Sequence, residues 1–74
     1  MINYCELLNE VTKNTMNTIR NAESFDDACN IIDVAEYMIA CFKGKVPYTM
    51  LLNAHGMIHE IFETEFATEI EENQ

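Results

Sequence analysis

Apolar residues recur at helical spacing through nearly the whole chain, and nowhere do they alternate for the length of a strand. Two short breaks, at 21–23 and 44–46, divide the pattern into three segments. It predicts an all-α protein, one single helical domain over 1–74, with helices spanning about 4–21, 25–43 and 47–70. Short connections make sequential helices antiparallel, so the expected architecture is a small antiparallel three-helix bundle that dimerisation could complete.

Each segment carries its own start and stop signals. Asn3 followed three positions later by Glu6 has the spacing of a capping box. Tyr4, Leu7, Leu8, Val11, Ile19 and Ala22 then share a face, with Thr15 and Thr18 filling the gap. The middle of this segment, "TKNTMNT", is poor in helix formers and needs packing to persist. In the second segment Ser24 can cap, and Asp26 and Asp27 set negative charge against the positive end of the helix dipole. Ala28, Ile31, Ile32, Ala35, Met38, Ile39 and Phe42 form the strongest apolar stripe in the chain, and Lys43 with Gly44 supplies the stop. Val34, Tyr37 and Cys41 make a second, weaker strip, which predicts a helix with two neighbours.

The third segment opens at Pro47, whose fixed φ suits a first turn. Met50, Leu51, Ala54, Met57, Ile58, Ile61 and Phe62 share a face, after which the pattern drifts. Phe62, Phe66 and Ile70 rotate away from the stripe, while Glu65 and Glu69 take directions that were apolar earlier. Three readings are open: a bend at Gly56, a C-terminal half that meets a partner or second copy, and a frayed end.

Charge sharpens the picture. Thirteen acidic residues against four basic ones give a formal net charge of −9. Such a chain repels phosphate backbones, which argues against direct nucleic-acid binding and for a protein partner with a basic surface, including a nucleic-acid-binding protein. The plainer reading is that acidity supplies solubility. At 49% hydrophobic the chain has too much apolar content for disorder. At 74 residues it is small enough that association is a natural source of added stability.

Candidate chemistry is sparse. Cys5, Cys29 and Cys41 are odd in number and widely spaced, which fits free thiols in a reducing cytosol and small buried hydrophobes better than a disulfide framework. The N-terminus lacks the pattern of a signal peptide and no apolar run reaches a membrane span, so a soluble, cytoplasmic protein is expected. No phosphate loop, nucleophile elbow or paired-carboxylate motif is present, and a short helical chain offers little room for a pocket, so neither an enzyme nor a cofactor is expected.

The stretch "NAHGMIHEIFETE" places His55, His59 and Glu63 on successive turns. Two histidines at i and i+4 can reach one ion, as in helical zinc motifs, but no glutamate stands between them as a zinc peptidase requires. A further ligand would have to come from another helix, with Cys5, Cys29 and Cys41 as candidates. The plainer reading sets both histidines at the damp edge of the apolar stripe, where an imidazole packs its ring and keeps a nitrogen wet.

From residue 60 onward, "EIFETEFATEIEENQ" holds six glutamates and no basic residue. Carboxylates at a helix C-terminus oppose the dipole, an unfavourable local choice. Docking onto a basic surface would explain it, with Glu60, Glu63, Glu65 and Glu69 as the charged contacts and Phe62, Phe66 and Ile70 as apolar anchors. A solvated tail is the plainer account. Asp26, Asp33 and Glu36 would widen the acidic face.

The expected function is that of a small acidic interaction module that binds and inhibits or modulates another macromolecule. A structural or regulatory homodimer is the alternative, and a metal-binding protein using His55 and His59 the third. In size, acidity and lack of chemistry the chain resembles small phage-encoded inhibitors and nucleic-acid mimics, a resemblance of composition that rests on no motif.

Overall fold

The expected caps form. In the computed structural model, which describes residues 1–72, the Asn3 side chain accepts from the Glu6 backbone N–H at 3.2 Å and α1 runs from Tyr4–Arg20. Ser24 accepts from the Asp27 N–H at 3.1 Å and opens α2, Phe25–Ala40. The third helix, α3, spans Tyr48–Glu65, and a short α4 follows at Ala67–Glu72. The last two positions of the expected 1–74 domain lie outside the described residues. Among the described residues there is no strand, only an isolated bridge between Lys43 and Val46. The protein is an all-α bundle of three long helices and one short one, elongated at 44 × 20 × 16 Å.

α2 stops three residues before the sequence predicts. Its end tightens into successive i→i+3 bonds, from the N–H groups of Cys41, Phe42 and Lys43 to the carbonyls of Met38, Ile39 and Ala40. This turn tucks Phe42 into the core, 7% exposed, and leads into Gly44 at φ 82°, the left-handed region that favours glycine. Lys45 then lays its ammonium 5.4 Å from the centroid of the Tyr4 ring, pinning the connection to the start of α1. Pro47 sits one position earlier than expected, as the N-cap of α3.

The core is built from Leu8 and Ile19 of α1, Ala28, Ile32, Ala35 and Ile39 of α2, Phe42, and Ala54 and Ile58 of α3. Three alanines among these let the helix axes approach closely. Since α2 runs antiparallel to both neighbours, α1 and α3 lie parallel, and their contact is the most extensive in the bundle. Two threonines join the core, but they are Thr12 and Thr15, while Thr18 is exposed. Thr12 is tolerated there because its hydroxyl donates to the Leu8 carbonyl at 2.8 Å.

The drift in the third apolar stripe resolves at an unexpected position. α3 continues unbroken through Gly56 and ends at Phe66, φ −122° and ψ 30°, where the chain turns into α4. The cause is aromatic packing. Phe25, at the start of α2, stacks on Phe62 with ring centroids 5.6 Å apart and meets Phe66 at 6.0 Å, while Phe62 and Phe66 lie 5.8 Å apart. Following this cluster, rather than the straight helix, re-aims the final turn.

Candidate functional site

Three features stand out on the surface. The first is the unpartnered side of α2. α2 has the two helix neighbours its two strips predicted, α1 and α3, but neither covers the second strip: Val34, Tyr37 and Cys41 are exposed, Tyr37 at 80%, and Met38 of the main stripe is exposed with them. With α3 packed on one side of the α1–α2 pair, the opposite side is left as an open groove of about 420 Å³. Its apolar lining comes from Val11, Ile31, Val34, Ala35 and Met38, and its polar lining from Asn14, Thr15, Thr18 and Asn30. Toward the α1–α2 connection the groove continues into a more polar recess that shares Thr18, Asn30 and Ile31 and carries Glu23 and Asp27. Asp33 lies beside Val34, Tyr37 and Met38 on the outer rim.

The second feature is a polarised charge distribution. The Phe25 cluster brings the start of α2 to the end of α3, and the short connection brings the end of α1 there too. Glu23, Asp26, Asp27, Glu63, Glu65 and Glu69 therefore gather toward one end, with Arg20 in the last turn of α1 as the cation nearby. Lys43 and Lys45 sit at the opposite end. Glu60, Glu63 and Glu65 are exposed, while Glu69 and Ile70 are half-buried. Phe62 and Phe66 are also half-buried, against Phe25 and the core, so their rings hold the fold together at this end. Phe25 is the member the sequence does not single out, because the cap and the charges account for "SFDD" without its ring.

One thiol responds to its surroundings here. Burial pushes the Cys29 thiol up from its ordinary value, and Asp26 and Asp33 add to the effect by disfavouring a neighbouring thiolate. Since the thiolate is the nucleophile, iodoacetamide labelling of Cys29 in the folded protein should require a higher pH than in denaturant. Coincident pH profiles in the two states, read by mass spectrometry, would contradict that placement.

The third feature involves the histidines. His55 is exposed and His59 half-buried, with ring centroids 4.2 Å apart as i, i+4 spacing on α3 dictates. The acidic partner is not Glu63 on the same helix. It is Glu36 of α2, whose Oε1 lies 2.7 Å from His59 Nε2 and 3.9 Å from His55 Nδ1. None of the cysteines joins this group, which is the one set of three potential ligands found among the described residues. In the sequence Glu36 is marked only as part of an outer acidic face, because periodicity places residues on one helix and says little about which residue of another helix stands opposite.

Comparison with protein-family models, with curated proteins and with solved structures finds no match to this chain. No helix among the described residues is long and apolar enough to cross a membrane.

Proposed function

We propose that the protein is a small acidic interaction module that binds a basic amphipathic helix of a protein partner in the α1–α2 groove and so modulates that partner. One observation carries the reading: the exposed surface of the groove is mainly apolar, and at the α1–α2 connection it continues into a recess that carries the carboxylates Glu23 and Asp27. A helix laid into it would bury its apolar ridge against Val11, Ile31, Val34 and Met38. Lysines or arginines at its flank would meet Glu23, Asp27 and Asp33. Long-range attraction from a net charge of −9 would speed the encounter with such a partner. Basic helices are frequent in nucleic-acid-binding proteins, which makes that class of partner a natural target. The exposed carboxylates Glu60, Glu63 and Glu65 extend the same field at the acidic end of the molecule.

A homodimer through this groove fits less well. A second copy brings the same negative charge to the same carboxylates, so its rim contacts are repulsive rather than complementary.

The test is an NMR titration with a short leucine–lysine amphipathic helix, and with a leucine–glutamate helix as control. Amide shifts at Ile31, Val34 and Met38 should move with the basic peptide and stay still with the acidic one. Val34→Lys should weaken binding by more than about tenfold, or about 1.4 kcal/mol, because it sets a cation on the apolar lining. The helical circular dichroism of this exposed variant should match the parent. Shifts confined to Glu60, Glu63 and Glu65 would instead assign binding to the acidic end of α3. A sedimenting dimer with the Val34 amide broadened would assign the groove to a second copy.

A further inference from the structure

We propose that Glu36, His55 and His59 form a binding site for a divalent transition-metal ion of the zinc type, with a fourth position open to water. The three side chains come from two helices and offer one ligand atom each, all within 4.8 Å of one another. Two neutral imidazole nitrogens and one carboxylate oxygen are the donors zinc accepts in tetrahedral sites, and they are too nitrogen-rich to favour calcium or magnesium.

The distances fit an ion between them. With metal–nitrogen and metal–oxygen bonds of about 2.0–2.2 Å, neighbouring ligands of a tetrahedral site lie about 3.4 Å apart. Glu36 Oε1 stands 2.7 Å from His59 Nε2 and 3.9 Å from His55 Nδ1, one pair slightly inside that separation and the other slightly outside. Modest rotations of the three side chains would equalise them. The groups have room to do so, because the His55 side chain is 52% exposed, Glu36 43% and His59 33%. The same exposure leaves an entry path and keeps a face of the ion in contact with water.

In the metal-free protein the short Glu36–His59 hydrogen bond holds the carboxylate against α3. An ion would replace that bond with three coordinate bonds and tie α2 to α3 directly. Among the described residues neither imidazole has a hydrogen-bond partner beyond Glu36 to fix its ring, so the site gives moderate affinity, suited to an ion that comes and goes rather than to one required for folding.

Titration of the full chain with zinc chloride, followed by calorimetry and by histidine side-chain NMR, tests the site. One ion per chain, ring shifts at both His55 and His59, and a raised melting temperature are expected, with magnesium inert. His55→Ala, His59→Ala and Glu36→Gln should each reduce affinity by more than about tenfold while leaving helicity intact. Cobalt(II) distinguishes the ligands: a thiolate charge-transfer band would assign the ion to a cysteine and overturn the site. Unchanged ring shifts, undiminished zinc binding by the histidine variants, or half an ion per chain with dimerisation would each overturn it as well.

Discussion

Ile58→Ala should remove a large share of the protein's stability. Ile58 is 1% exposed and belongs to the same buried cluster as Leu8, Ile19, Ile32 and Ile39, so it locks α3 against both other helices. Truncating a buried isoleucine costs about 2–5 kcal/mol, the lost transfer energy plus the cavity left behind. A chain of this length has only about 4–11 kcal/mol of total stability. The variant should therefore lose at least about 10 °C in melting temperature, as followed by circular dichroism at 222 nm. Leu52→Ala is the control: Leu52 lies on the same helix but is 52% exposed, so its loss should change stability by no more than about 0.5 kcal/mol. Equal destabilisation of the two variants would mean that α3 is rotated relative to the packing described.

Phe25→Ala should be costly in a different way. Its ring stacks on Phe62 and touches Phe66, which makes it the link between the start of α2, the end of α3 and the turn into α4. Removing a half-buried ring from this cluster should cost about 2–3 kcal/mol, less than the full range for a wholly buried phenylalanine. The larger consequence is local. A six-residue helix lies far below the length of about 12–15 residues at which isolated helices become even marginal in water, so α4 persists only through its packing. Hydrogen exchange at Ile70 and Glu71 should rise to the unprotected rate in Phe25→Ala while amides around Ile32 and Ile58 stay protected. Unchanged protection in α4 would show that Phe66 and Ile70 hold it without Phe25. Because the ring also draws the acidic segments together, the variant would disperse the charge at that end.

Local rules written into the chain were legible. Asn3 caps as its spacing to Glu6 implied, Ser24 caps as its residue type implied, and the apolar stripe of α2 supplies four of the buried residues, Ala28, Ile32, Ala35 and Ile39. Such signals depend on groups within one or two turns of each other. Features that depend on another helix are not written into the chain in this way. Met38 and Met57 belong to apolar stripes but are exposed, and the Val34–Tyr37 strip stays uncovered although α2 has two neighbours. Amphipathic patterning identifies surface that can be buried. Whether it is buried depends on where the other helices pack, and α1 and α3 leave the second strip of α2 open.

The candidate sites divide along the same line. The acidic balance, the histidine spacing and the glutamate run after residue 60 are properties of the sequence alone. The pairing of both histidines with Glu36, twenty-three residues from His59, depends on the register of α2 against α3. So does the break at Phe66, where a turn that no residue type demanded is set by contact with Phe25. The sequence determined the three long helices, the caps that open α1 and α2, the identity of most core positions and the sign of the protein's charge, because period, capping and composition are local or additive. Only the tertiary structure decided which apolar strip stays open, which carboxylate faces the histidines and where the third helix ends, because each of these is a relation between side chains that adjacency along the chain does not encode.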